Sequence, residues 1–494
     1  MQSCKLPIEV CERVIDCLAI PVHNPTWIDY DKALRFSNPT LRACLLVCRD
    51  WVHRSQHHLF HCVKLRDTSQ ADAFLSTLAR HPHRAQSVKF LRIWPRPPPS
   101  SPKPASPSQR PSNSPAPTSS TLPSHSPALS ASPVAPSSSH SSQNPVSVSN
   151  DQHVEETPSQ SESGNLAHVP TTESSESDIS SRDQTQDKIQ GKTSIPPCYY
   201  NWIYKVLTRL PPLLSNLSLL YFDKLPTLHP RFIRLVSCFK TIRTLCFSDL
   251  ENQSFSEIIQ VINRLPQLRS VFFLDTKWFR PVRFFPSRSL RFEGIYCEAN
   301  GEYLNTDVID WLGSLQDLSG LRLLQIAPLQ RCNLNKMHRI LQRCIHSLEF
   351  LNMFSRDANV FESLSLSGHL KLEYIRIINF RLSQTLALFS SHISHLLSPS
   401  LVYLIIGPFE DLETEYATPL PSWPDIDNAL SQPKFNRLAY FVMSLSPSHK
   451  RNIDHETLRA TFQKILPQSY QRGILWVEKY IDITEGRRGE HFPE

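Results

Sequence analysis

The feature that most narrows what this chain can fold into is a hexad, apolar-x-apolar-apolar-x-apolar, beginning at Val88, Leu217, Leu321, Leu348, Leu372, Leu401 and Leu438. A short apolar run of this kind, bounded by polar and turn residues, reads as a buried strand. A helical pattern generally precedes it, as over residues 199–210, 256–265, 307–315, 334–345 and 456–466. Laying residues 213–223 over 239–249 and 265–275 matches Leu213 with Phe239 and Leu265, Leu219 with Leu245 and Val271, Tyr221 with Phe247 and Phe273, and Asp223 with Asp249 and Asp275. Strand and helix alternating at a period in the middle twenties predicts an α/β fold. No single unit buries its apolar face alone, so the units stack and their strands form a parallel sheet.

Leu318-x-x-Leu321-x-Leu323 and Ile345-x-x-Leu348-x-Phe350 are spaced as in leucine-rich repeats, which the chain resembles without their asparagine ladder. The resemblance implies an irregular leucine-rich-repeat-like solenoid over residues 198–482, with its first units at 63–94, and a receptor role for the sheet. If Leu321 and Leu323 point into the solenoid, side-chain alternation puts Arg322, Leu324, Glu349, Leu351, Glu373, Ile375, Val402 and Leu404 on the opposite face. The row Leu324, Leu351, Ile375 and Leu404, with Leu220 and Leu91 at equivalent places, is apolar. It is either an exposed substrate-binding strip with Arg322, Glu349 and Glu373 beside it, or the second-side core of a sheet covered on both faces.

The alternation breaks at residues 95–197, a Ser/Pro-rich stretch that holds most of the excess of 41 prolines over 11 glycines and contains no Phe, Tyr, Trp or Met. Such a segment buries too little apolar surface to offset its ordering entropy, and it reads as a disordered insert in one loop. Its six basic and nine acidic residues leave +10 on the rest of the chain, against +7 overall. A second flexible stretch is expected at residues 483–494.

Residues 5–62 read as three short helices. Leu6, Val10, Val14 and Leu18 recur at helical spacing beside Cys11 and Ile15, while Glu9, Glu12, Arg13 and Asp16 take the other face. That apolar face needs a partner. Ser37 or Asn38 can cap a second helix carrying Leu41, Cys44, Leu45, Val47, Cys48 and Trp51, and Ser55 can cap a third. Leu6-Pro7-x-Glu9, then Ile15 and Leu18, then Leu41-x-x-Cys44-x-x-Val47-Cys48-Arg49-x-Trp51 resembles the F-box of the fungal type, apart from a long connection over residues 19–38. The resemblance implies docking on the Skp adaptor of a cullin-RING ubiquitin ligase of the SCF type. Leu6, Pro7, Glu9, Ile15, Leu18, Leu45, Val47, Cys48 and Trp51 would meet or support that adaptor, while the rest of the chain captures a protein substrate.

Catalytic chemistry has no foothold. The chain carries no Gly-rich phosphate loop, no Gly-x-Ser-x-Gly elbow and no His-Glu-x-x-His helix, so neither catalysis nor a cofactor is expected, and the F-box resemblance implies a non-catalytic adaptor. Twelve cysteines without a Cys-x-x-Cys pair read as reduced thiols. Cys44 and Cys48, near His53, His57, His58, His61 and Cys62, suggest zinc, but two thiols on an apolar helix face pack as small hydrophobes. No apolar run reaches the roughly 18 residues of a membrane helix, and acidic residues stand where a signal peptide would be apolar, so a soluble intracellular protein is expected. Phe279 to Arg288 with Arg291 and Phe292 interleave cations and aromatics, the one opening for a nucleic-acid-associated or non-ligase scaffold. The plainer reading is a loop anchored by its phenylalanines. Because loop length changes stability by only about 0.6 kcal/mol per doubling, deleting residues 97–195 is expected to leave the thermal unfolding midpoint within a few degrees. Loss of a single cooperative transition would show that the segment packs.

Overall fold

The computed structural model describes residues 7–18, 37–95, 200–225, 229–280, 290–298, 304–355, 364–378, 393, 395–409, 422–445 and 455–479. Twelve strands form one sheet with every pairing parallel: β1 Cys62–Leu65, β2 Phe90–Ile93, β3 Leu219–Asp223, β4 Thr244–Ser248, β6 Ser270–Leu274, β8 Gly294–Glu298, β9 Leu323–Ala327, β10 Phe350–Phe354, β11 Tyr374–Ile378, β12 Tyr403–Phe409, β13 Tyr440–Leu445 and β14 Leu475–Lys479. Their order across the sheet is their order in the chain. A small parallel pair, β5 Glu251–Ser254 and β7 Lys277–Arg280, lies apart.

The helices are α1 Ile8–Leu18, α2 (residues 37–44), α3 Arg49–His61, α4 Thr68–Arg80, α5 Asn201–Arg209, α6 Pro230–Val236, α7 Phe255–Arg264, α8 Leu304–Ser314, α9 Leu334–Arg343, α10 Ser422–Leu430, α11 His455–Ile465 and α12 Pro467–Gln471. Among the described residues no helix is long and apolar enough to cross a membrane. β2 and β3 pair directly, Leu91 beside Leu220, although the Ser/Pro-rich segment separates them in sequence. The described residues within 1–98 and 196–494 make up one compact unit. Of the expected insert, 96–197 lies outside the described residues, as do residues 483–494.

The hexad corrects the alternation expected from sequence. Its first, fourth and sixth positions face the helices, as with Leu321, Leu324 and Ile326, all fully buried. The first position sits in the turn before the strand, where the Leu321 amide donates to the Leu318 carbonyl at 3.0 Å. Alternation starts only at position three, so the phase expected from Leu321 and Leu323 is inverted. Leu324, Leu351, Ile375 and Leu404, with Leu220 and Leu91, stack in register as core, each at most 1% exposed. They are not an exposed receptor strip. The same core takes Ile258, Ile259 and Ile262 from α7, Val308 and Leu312 from α8, and Met337, Ile340 and Leu341 from α9.

The overlay of the first units also shifts by one residue. Leu220, not Leu219, lies beside Leu245, and Leu245 lies beside Val271. The residue after each of these strands is therefore Lys224, Asp249 and Asp275, all with φ near +50°. In that conformation each amide donates to the last carbonyl of the next strand: Lys224 to Ser248, Asp249 to Leu274 and Asp275 to Glu298, at 2.9, 2.8 and 2.7 Å. Aspartate tolerates this left-handed geometry better than most side chains.

Hydroxyls ahead of the strands join neighbouring units. Thr241 donates to the Leu217 carbonyl at 2.7 Å, Ser347 to Leu321 at 2.8 Å and Ser398 to Leu372 at 2.7 Å. Truncating a buried leucine of this row costs about 2–5 kcal/mol, and a buried, unpaired lysine costs more. Leu351→Lys with Ile375→Lys is therefore expected to abolish cooperative thermal unfolding. A folded, monomeric double variant would contradict the burial.

Candidate functional site

Two regions carry the side chains that could act on a partner: the N-terminal helical trio and the sheet face turned away from the helices. α1 begins at Pro7, whose carbonyl accepts from the amides of Val10 and Cys11 at 3.0 and 3.2 Å, with Glu9 in the first turn favoured by the helix dipole. Cys11, Ile15, Leu41, Cys44 and Ser55 fill the centre of the trio, each at most 5% exposed. Small side chains there let three short helices approach closely.

Two polar contacts lock the trio. Asp16 accepts both guanidinium nitrogens of Arg54 at 2.7 and 2.6 Å and faces Nε2 of His58 at 2.7 Å, tying α1 to α3. The Ser37 hydroxyl donates to the Leu18 carbonyl at 2.6 Å, joining the start of α2 to the end of α1. Ser37 thus ties two helices together. Ser55 lies inside α3, which starts at Arg49, so it caps nothing; Trp51 belongs to α3 and not to the second helix.

The apolar face of α1 is wider than the trio covers. Val10 and Val14, one turn apart, are each 43% exposed and Ile8 is 44% exposed, while the turn after α2 presents Leu46 at 88% and Val47 at 59%. Of the positions singled out from sequence, Pro7, Glu9 and Val47 are exposed, Leu18, Leu45, Cys48 and Trp51 are half-buried, and Ile15 is core. Leu6 lies outside the described residues. Val10 and Val14 were placed from sequence on the apolar face that needs a partner, though not among the positions meeting the adaptor, while Ile8 and Leu46 were missed, although the breadth of the apolar stripe was the available signal.

On the open sheet face, Arg92 pairs with Asp223 and stacks over Tyr221 at 4.4 Å, while Lys64, Arg66 and Arg92 all approach the ring of Trp94 within 5.2 Å. Beside them Phe90, Leu219, Cys246, Phe272 and Tyr296 form a second, smaller core. Burial and the charge of Glu298 push the Tyr296 hydroxyl well above its ordinary pKa. Further along, the Asn352 amide donates to Gln325 at 2.6 Å.

The last strands carry an aromatic ladder, Phe350, Tyr374, Tyr403 and Tyr440 in register, with Trp476 beyond. Ring centroids lie 4.1, 6.0, 4.7 and 5.6 Å apart along it. Phe350, Tyr374, Tyr403 and Tyr440 occupy hexad position three, a column legible in the sequence but assigned there to the buried side, whereas Trp476 lies beside Val442. Arg322 pairs with Glu349 through two bonds of 2.8 and 2.6 Å at the turn before β9 and β10, which holds the guanidinium more firmly charged, and Glu373 stays exposed just before Tyr374.

Of the cation-aromatic segment, residues 281–289 lie outside the described residues. Phe292 is 1% exposed, in the core, and Arg291 pairs with Asp317 at 3.0 Å. Among the described residues no three His, Cys, Asp or Glu side chains converge into a metal-binding group. Comparison with protein-family models and with curated proteins finds no match to this chain.

The Asp16 clasp gives the trio a defined acid response. The Arg54 and His58 contacts hold the Asp16 carboxyl down at about 2, from an ordinary 3.8. A depressed carboxylate stabilises the fold above its unfolded pKa and ceases to do so as pH falls through the folded value. Solvent screening of this partly exposed pair limits the effect to about 0.2–1 kcal/mol. The stability difference between wild type and Asp16→Asn, followed by urea unfolding, is expected to be constant from about pH 7 to 5, to shrink below about pH 4 and to be lost as pH falls through about 2. A difference that does not change with pH would remove the clasp from the account.

Proposed function

We propose that this protein is a substrate-recruiting adaptor of a cullin-RING ubiquitin ligase. Its N-terminal trio acts as an F-box that docks on the Skp adaptor, and its parallel sheet is an irregular leucine-rich-repeat-like receptor for a protein substrate. The chain then contributes binding and orientation while other subunits supply the ubiquitin-transfer chemistry.

The observation that carries the reading is the surplus apolar surface of the trio: Ile8, Val10, Val14, Leu46 and Val47 together on a domain of three short helices. A helical unit this small is marginal by itself, and exposing five large aliphatic side chains costs it solubility unless a partner covers them. The Leu6-Pro7 motif supports the same use, because Pro7 fixes the first turn of α1 and so sets the angle at which Val10 and Val14 are offered. The twelve-stranded sheet supports the receptor half, since stacked strand-helix units leave one broad sheet face free of helices among the described residues.

The test is capture of the Skp adaptor and a cullin by the tagged full-length chain. Wild type is expected to bring both down. Leu6→Ala with Pro7→Ala is expected to lose both while keeping wild-type thermal unfolding of the sheet, and Val47→Asp to do the same by placing a charge in the interface. Undiminished adaptor capture by both variants would refute the docking role.

A further inference from the structure

The aromatic ladder on the open sheet face has a geometry that selects its ligand. Phe350 and Tyr374 lie within 9° of parallel, and Tyr403 and Tyr440 within 5°. Rings stacked on one another have already used their faces, so they turn edges and hydroxyls outward. Tyr403 is 39% exposed and Trp476 is 54% exposed. Among the described residues the hydroxyls of Tyr403 and Tyr440 and the indole N–H of Trp476 have no hydrogen-bond partner, which leaves a line of donors along an apolar ridge. The ridge is bordered by the carboxylate of Glu373, exposed immediately before Tyr374.

We propose that this ladder, Phe350 to Trp476, is a docking surface for an extended, proline-rich peptide carrying a basic residue. Polyproline II chains make no internal hydrogen bonds, so their carbonyls remain free to accept from the ladder's donors. Their period is three residues of about 3.1 Å, roughly 9.3 Å. Strands stand about 4.8 Å apart, so alternate rings recur at almost the same distance, and a peptide laid across the strands can set a proline over the edge of every second ring. Glu373 supplies the charge complement for the basic residue. Nucleobases need open ring faces on which to stack, and the parallel pairs withhold theirs. This names the substrate class of the receptor face proposed above and rests on that reading for its biological role, while the contact itself stands without the Skp adaptor.

Fluorescence anisotropy of the full chain tests it with three labelled probes: a proline-rich peptide ending in arginine, the same peptide with serine for proline, and an oligothymidine. Saturable binding of the first alone is expected. Tyr403→Ala and Trp476→Ala should each weaken it by about tenfold, and Tyr403→Phe and Glu373→Gln by about threefold each. Skp capture should be unchanged in all four. If Tyr403→Ala fails to unfold cooperatively, Trp476→Ala on the exposed edge strand decides. Equal binding of the serine peptide, preference for oligothymidine, or wild-type affinity in folded Tyr403→Ala or Trp476→Ala would overturn the proposal. Loss of Skp capture with peptide binding intact would instead count against the adaptor reading alone.

Discussion

Everything in the sheet depends on one constraint: in each hexad the first, fourth and sixth side chains must leave water on the helix side, and they can do so only if the next unit repeats the same register. Leu324 stacks on Leu351, Ile375 and Leu404 because all four occupy the same hexad position, and parallel pairing keeps like positions adjacent. A strand slipped by one residue would exchange this row for Leu323, Phe350, Tyr374 and Tyr403. The left-handed residues at Lys224, Asp249 and Asp275 and the hydroxyl bonds from Thr241, Ser347 and Ser398 fix the register at either end of the strand. The core row decides what the opposite face can present, since every residue committed to the helices places its neighbour on the open side.

The helical trio follows a different rule. Its interior is built from small groups, Cys11, Cys44 and Ser55, around Ile15 and Leu41, and so its helices approach closely but enclose little. Ile8, Val10, Val14, Leu46 and Val47 are left outside. Asp16 with Arg54 and His58, and Ser37 with the Leu18 carbonyl, hold the arrangement by polar contacts at the edge of a thin core. A unit made this way has its shape fixed and its apolar surface unspent, which is what a docking module requires.

Much of this was legible before any coordinates. The alternation of helix and strand, the parallel sheet and the pairing of β2 with β3 across the Ser/Pro-rich segment follow from periodicity and composition. The facing of the strands did not, because apolar residues fill hexad positions one, three, four and six, and no alternation rule says where the turn ends and the pleat begins. Leu321 lies in that turn, so counting parity from it inverted every row after it. The aromatic column at Phe350, Tyr374, Tyr403 and Tyr440 was visible as letters, yet its stacking needed the strand register. Exposure of Val10 and Val14 likewise depends on how few helices are present to cover α1.

The central claim, that the exposed apolar surface of the trio is what meets the Skp adaptor while the sheet takes no part in that contact, is tested most directly by hydrogen-deuterium exchange of the full chain with and without purified Skp adaptor. The account predicts slowed exchange at the amides of α1 and of the turn at residues 45–48, with β9 to β13 unchanged. No complex, or protection confined to the strands, would contradict it.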